Sequence, residues 1–278
     1  MTTAVAAPFR FFSLRVVRTR RLGPSLVRVT FAGADLAHFH SHGHDQSLSL
    51  FLPAQGRTEP VVPIELGDGW WQGWRELPDD VRAVMRSYTL RALRRNPDEI
   101  DIDFALHGIG PGAATPPGPA SRWAARARAG DPVVLLGPAV ADNRAIRFRP
   151  PEDTDLVLVW GDETAVPAAT AILEALPAGT RARAWLEVPH AGDVQDVAAG
   201  PDVEITWLTG GRGALAEIRA ARLPRCERPY VWIAGESGRV RELRRHFVQE
   251  RGTDRRRVTF VGYWRRGLTE EQLRAAGE

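Results

Sequence analysis

Six consecutive residues in mid-chain, Arg86-Ser87-Tyr88-Thr89-Leu90-Arg91, put two guanidiniums, a phenol and a β-branched hydroxyl into one short segment. Alternation along a strand sends Arg86, Tyr88 and Leu90 to one side and Ser87, Thr89 and Arg91 to the other. A flavin dinucleotide suits such a set: a fork for its pyrophosphate, a phenol along the ribityl chain, and hydroxyl or backbone groups beside the ring edge. An ordinary strand with solvated arginines has the same composition. On these six residues alone it is the favoured reading.

Other stretches carry chemistry of their own. Gly118-Pro119-Ala120-Ser121 leads with small residues into a predicted helix at 121–128 that stops at Gly130. Its backbone N–H groups and the Ser121 hydroxyl can approach an anion, and a plain helix cap reads equally well. Over residues 99–108, Ile100, Ile102, Phe104 and Leu106 alternate with Asp101, Asp103, Ala105 and His107. The first set reads as core, and on the second Asp103 and His107 stand beside a ligand or meet water. His38, His40, His42 and His44 alternate in a Gly-containing run. Imidazole suits transition metals, but no Glu or Cys joins the run, so a solvated loop is preferred and no metal site is assigned. Trp70, Trp71 and Trp74 sit among glycines, where covering the end of a core is preferred to stacking on a ligand.

Composition limits the possibilities further. The 278 residues are comfortable for two domains, each able to bury its own core. All 37 basic residues are arginine, offset by 34 acidic ones to a net charge of +3, which does not indicate a nucleic-acid binder. Cys226 is the single cysteine, which excludes an internal disulfide and any cysteine-built cluster. No apolar segment of signal or membrane length is visible, so a soluble, cytoplasmic protein is expected.

The elements that position these residues fall into two regimes. Strands are predicted at 9–21, 26–32, 47–53, 86–91, 99–107 and 131–138, with residues 54–82 as loop and a Gly/Pro-rich loop at 108–119. From residue 155 the pattern alternates strand and helix. Strands are expected at 155–160, 182–188, 203–208, 230–234 and 258–263, and helices near 165–176, 214–222 and 238–250. Thr269-Glu270-Glu271-Gln272 is a capping box for a terminal helix. This alternation predicts a doubly wound parallel sheet with ligands at the carboxyl ends of its strands.

Six segments taken together resemble one family. They are Arg86-Ser-Tyr-Thr-Leu-Arg91, Asp103-Phe-Ala-Leu-His-Gly108, Gly118-Pro-Ala-Ser-Arg-Trp-Ala124, Gly161-Asp-Glu-Thr-Ala-Val-Pro167, Trp232-Ile-Ala-Gly-Glu236 and Gly262-Tyr-Trp-Arg265. Their order resembles the siderophore-interacting proteins, flavin-dependent ferric-siderophore reductases of the ferredoxin reductase superfamily. The resemblance implies a six-stranded antiparallel flavin-binding barrel over residues 1–150. It implies a five-stranded parallel, doubly wound NAD(P)H-binding domain over 151–278 with a C-terminal helix.

The resemblance also implies roles. Arg86 pairs with FAD phosphates, Tyr88 lies along the ribityl and ring system, and Thr89 bonds near N5, with Ser87, Leu90 and Arg91 in the same lining. Asp103, Ala105 and His107 line the ribityl and pyrophosphate path with Gly108. Ser121 and the Ala120 backbone hold phosphate, supported by Trp123. Asp162, Glu163, Thr164 and Ala165 face the adenine end and the nicotinamide cofactor, and Glu236, Tyr263 and Trp264 close the cleft. No side chain is expected to be catalytic, since the flavin performs the chemistry. The implied cofactors are FAD with NADPH or NADH, and the resemblance leans to NADPH. Glu187 would favour NADH if it met a ribose, and Arg212 or Arg239 would reverse that. A ferric siderophore is the expected substrate of a monomeric enzyme that releases Fe(II) after single-electron transfer. Arg91, Arg94, Arg95, Arg265 and Arg266 are candidates for a basic apron that attracts it. The alternatives are a flavin or quinone reductase of the same fold and a non-catalytic ferric-siderophore carrier. Three departures stand out: Ala234-Gly235-Glu236 replaces a cysteine of related reductases, Ser49 stands where many members have a lysine, and the loop at 108–118 is longer and richer in proline than the usual version.

Overall fold

The computed structural model describes residues 7–109, 116–211, 213–268 and 272. Residues 110–115 of the Gly/Pro loop, Arg212, and Thr269 to Glu271 of the expected capping box lie outside them. The chain divides into two compact units, one ending at Ile146 and the next beginning at Arg147.

The first unit contains β1 (Phe9–Arg21), β2 (Leu26–Ala32), β3 (Ser47–Leu52), α1 (Trp70–Glu76), β4 (Val84–Thr89), β5 (Ala92–Arg94), β6 (Glu99–Ala105), α2 (Pro119–Ala124) and β7 (Pro132–Pro138). Its strands form one sheet in the order β4-β3-β7-β1-β2-β6-β5, every pairing antiparallel. Seven strands therefore stand where six are expected. The difference has a local cause. The Leu90 N–H donates to the Gln46 carbonyl on the β3 side, and the Arg91 N–H donates to the Asp101 carbonyl on β6. One extended segment thus changes partners between Leu90 and Arg91, and its two halves count as β4 and β5. The sheet curls enough for Tyr88 on β4 to meet Phe104 on β6 with ring centroids 4.3 Å apart.

Inside the curl, Phe12, Val29, Phe31, Leu50, Ile100, Ile102, Phe104 and Leu135 are fully buried. Apolar alternation on each strand supplies this face, which is what fixes register against a one-residue slip. Residues 54–82, expected as loop, hold a 3-10 turn at Ile64–Gly69 followed by α1. The helix forms because its tryptophans have a surface to cover. Trp70 lies edge-on to Phe11 and Phe51, and buried Trp74 donates from Nε1 to the Ala83 carbonyl at 3.1 Å. The helix expected at 121–128 starts earlier and is shorter, because Pro119 is pre-set for a first helical turn.

The second unit contains β8 (Leu156–Gly161), α3 (Val166–Glu174), β9 (Ala182–Val188), β10 (Val203–Thr209), α4 (Ala214–Ala220), β11 (Pro229–Glu236), α5 (Ser237–Arg245) and β12 (Val258–Trp264). A π turn at His246–Glu250 continues α5. The five strands are parallel in the order β10-β9-β8-β11-β12. Every residue of β8 is buried, as expected of a strand with helices on both faces. The chain moves outward from β8 to β9 and β10, then returns to the other side as β11. The strand order therefore reverses at β8, and sheets of this kind bind ligands at the carboxyl ends beside such a reversal.

Candidate functional site

In the first unit an aromatic file connects the expected phosphate-binding pieces. Tyr88 tilts against Phe104, Phe104 lies 5.8 Å from Trp123, and Trp123 stacks on Phe31 at 6.2 Å with planes 7° apart. Trp123 belongs to α2, so the file brings that helix onto β4 and β6. Gly118 caps α2 without a side-chain hydrogen bond. The N–H groups of a first helical turn have no partner within the helix, so they point outward as donors. Ser121 is buried and its hydroxyl donates to the Ala105 carbonyl at 3.3 Å, which ties the helix start to the end of β6. Arg86 is half-buried and donates from Nη1 to the Met85 carbonyl at 2.8 Å. Ser87 is exposed, Thr89 and Leu90 are buried, and His107 is exposed beside Gly108, whose φ is 72°.

Asp103 does not meet water. Its side chain is 1% exposed, and Arg28, its cross-strand partner on β2, grips both oxygens at 2.7 and 2.8 Å. Arg91 adds a looser contact at 3.9 Å. The other two acids of β6 are held the same way. Glu99 bonds to Arg18 and Arg94, and Asp101 to Arg94 and Thr30. The Arg18 bond chiefly holds Glu99 below its usual range. Burial works to raise Asp101, but Arg94 and Thr30 outweigh it and the carboxyl is lowered. The three acids of β6 therefore form a buried ionic layer rather than a solvated face. Arg94 consequently faces carboxylates instead of joining an apron. Arg95 likewise binds Asp98 and the carbonyls of Leu36 and Phe39.

His38, His40 and His42 are exposed and His44 is half-buried with its pKa lowered, mainly by burial. Among the described residues no group of His, Cys, Asp and Glu is arranged to hold a metal ion.

In the second unit Asp162 organises the carboxyl ends of three strands. Its Oδ1 accepts from the Thr164 N–H at 3.0 Å and the Thr164 hydroxyl at 2.6 Å. Its Oδ2 accepts from the Glu236 N–H at 2.7 Å and from Trp264 Nε1 at 2.8 Å. Residues at the ends of β8, β11 and β12 are thereby joined through one buried carboxylate. Glu236 in turn caps α5, accepting the Arg239 N–H at 3.0 Å. Glu163, next in the turn, is pushed up to about 8 by burial first and by the Asp162 carboxylate second. Tyr263 is half-buried against the core, and Ala165 is fully buried under the start of α3.

Arg28 and Arg18 are missing from the residues singled out in sequence, and Arg239 is named there only for nucleotide choice, not as the partner of Glu187. Their carboxylates lie 52 to 81 positions away in the chain, so only strand pairing and helix packing bring them together.

An antiparallel curled sheet and a doubly wound parallel sheet in succession define the ferredoxin-reductase class of fold. Residues 15–142 match the siderophore-interacting FAD-binding domain, and residues 154–267 match the siderophore-interacting protein domain. The NADPH-dependent ferric-chelate reductase of Escherichia coli is 30% identical over 263 residues, 92% of this chain and 93% of that protein. The ferric vibriobactin reductase ViuB of Vibrio cholerae is 29% identical over 264 residues, 93% and 90% of the two chains. The crystal structure of the siderophore-interacting protein SipS from Aeromonas hydrophila superposes with a TM-score of 0.74 at 32% identity, covering 97% of this chain and 96% of that one. This chain belongs to the siderophore-interacting protein family. No helix among the described residues is long and apolar enough to cross a membrane.

Proposed function

We propose that this protein is an FAD-dependent ferric-siderophore reductase. It takes a hydride from a reduced nicotinamide dinucleotide and passes electrons singly to siderophore-bound Fe(III), releasing Fe(II) in the cytoplasm. The observation that supports the reading is the Tyr88–Phe104–Trp123 file, which joins the strand that carries Arg86 and Tyr88 to α2, whose Gly118 cap supplies no side-chain acceptor. The names of the E. coli, V. cholerae and A. hydrophila relatives support the substrate class.

The donor set fits a flavin dinucleotide. A guanidinium and helix-start N–H groups suit a pyrophosphate, and a phenol half-buried against Phe104 suits the length of a ribityl chain. When bound, FAD supplies the conversion of a two-electron donor into single-electron steps. The chain's own part is positional. Arg86 with the Ala120 and Ser121 backbone holds phosphate, Tyr88 orients the middle of the cofactor, and Thr89 places a hydroxyl near the ring edge. Leu90, Arg91, Ala105, His107 and Gly108 border the same strand ends. Asp103 acts from behind by keeping Arg28 and β6 in place. In the second unit Thr164, Glu236 and Trp264 present the nicotinamide-facing edge, fixed by Asp162. Fe(II) binds hard oxygen donors less tightly than Fe(III), so reduction frees the metal.

The test is optical. The purified protein should carry a flavin absorption band that a reduced nicotinamide bleaches in stopped flow. Reoxidation by a panel of ferric chelates then distinguishes a siderophore reductase from a flavin or quinone reductase. Protein without a flavin band, and unable to take one up, sinks the enzymatic reading.

A further inference from the structure

At the carboxyl end of β9 stands an ion pair whose partners come from different elements. Arg239, in the first turn of α5, sets Nη1 against both carboxylate oxygens of Glu187, the penultimate residue of β9. The Arg239 backbone is bound as well, since its N–H donates to Glu236. The Glu187 side chain is 10% exposed and that of Arg239 36%, so the pair opens to solvent on its cationic side. Asp162 and Glu163, from the end of β8, act electrostatically on the same pair. Burial raises Glu187 against the pull of Arg239, and Asp162 raises it further. Among the described residues Glu187 is thus the one carboxylate that Arg239 grips directly, with Asp162 and Glu163 near enough to act on the pair.

In a doubly wound sheet a dinucleotide crosses the carboxyl ends of the strands beside the order reversal. A carboxylate there receives the ribose diol, whereas an arginine receives a 2′-phosphate. Here both groups are present and occupy one another. We infer that the Glu187–Arg239 pair reads the 2′ position of the nicotinamide dinucleotide and sets a preference for NADH over NADPH. The inference rests on the reductase reading above and deepens it. A 2′-hydroxyl donates to Glu187 while the pair stays closed. A 2′-phosphate has to draw Arg239 away, leaving a buried carboxylate unpaired beside two other acids, which is the costly way to break a buried pair. The direction is opposite to the one the family resemblance implies.

Two nucleotides that differ only at the 2′ position, 5′-AMP and 2′,5′-ADP, test this without hydride transfer. Calorimetric titration of the full-length flavin-loaded protein gives a dissociation constant for each. The wild type should bind 5′-AMP at least tenfold more tightly. Glu187→Gln should move the ratio at least tenfold toward 2′,5′-ADP. Arg239→Gln should move it at least threefold the other way, and this second variant carries the test if the first does not fold. A wild type that prefers 2′,5′-ADP, or variants whose ratios stay within twofold of wild type, overturns the assignment. Failure of the reductase reading looks different: neither dinucleotide bleaches the flavin band, while the nucleotide ratios still shift.

Discussion

The Asp162 carboxylate occupies the space where any side chain at Gly235 would begin. A Cβ built on Gly235 falls 2.5 Å from Asp162 Oδ2, and the backbone there has φ 141°, a conformation that side chains rarely adopt. The closeness follows from the bond between Oδ2 and the N–H of Glu236, the very next residue. Gly235→Ala should therefore combine backbone strain with overpacking and cost roughly 2–3 kcal/mol of unfolding free energy. Guanidinium denaturation of the two proteins measures it, and a loss below about 0.5 kcal/mol contradicts the geometry.

Replacing Asp162 by Asn tests the hub itself. The carboxylate accepts four hydrogen bonds on two oxygens, whereas an amide accepts on one and donates from the other. Two donors must then face an NH2 group. We expect a loss of roughly 2–4 kcal/mol. In a double-mutant cycle with Trp264→Phe the coupling should be roughly 0.5–3 kcal/mol, whereas additivity would mean that the indole bond contributes nothing.

The ionic layer on β6 predicts an asymmetry between its partners. Arg28→Ala leaves the Asp103 carboxylate buried and largely uncompensated, at a cost of roughly 3–5 kcal/mol. Exchanging both residues for apolar ones of similar volume should restore most of that stability. Equal destabilisation by the single and double variants would count against the pairing.

Glu163 gives a pH dependence of defined sign. Its carboxyl titrates near 8 in the folded protein and near the ordinary glutamate value when unfolded, so the native state binds the extra proton between those pH values. Stability must fall as pH rises through the folded value, by about 1 kcal/mol between pH 7 and 9. Glu163→Gln should remove that slope. Parallel slopes for wild type and variant in thermal or denaturant melts would assign the effect to another group.

Arg86→Ala removes a charge-assisted contact from the proposed phosphate site. With such bonds contributing roughly 1.5–3 kcal/mol, the flavin dissociation constant should rise roughly tenfold to a hundredfold. Fluorescence titration of the apoprotein with FAD measures the change. Unchanged affinity would take Arg86 out of the site.

Much of this was visible in the chain, and the remainder was hidden for definite reasons. The apolar alternation of Ile100, Ile102, Phe104 and Leu106 marks one buried face of β6, and all four are buried. The opposite face looks solvated because Glu99, Asp101 and Asp103 are acidic, yet they too are buried. Local pattern reports the period of a strand but not the arginines that a neighbouring strand will deliver. Residues 54–82 hide α1 for a related cause: its helix is held by Phe11 and Phe51, which lie on strands far back in the chain. The parallel sheet was easier to read, since each strand is a short apolar run bounded by its own turn. The turn Asp162 to Ala165 was expected to face ligands. That the Asp162 carboxylate is filled by its own chain was not, because its donors at Glu236 and Trp264 arrive from two later strands.

The partner exchange at Leu90 and Arg91 has a consequence for how the first unit breathes. The amides of these two residues hold the two margins of the curl together, and they continue directly from Arg86 and Tyr88. Opening that zipper and displacing the strand proposed to face the flavin phosphates are one motion. Amide hydrogen exchange at Leu90 and Arg91 should accordingly slow on addition of FAD, more than at strands on the far side such as β1, so the latch of the fold doubles as a gauge of occupancy.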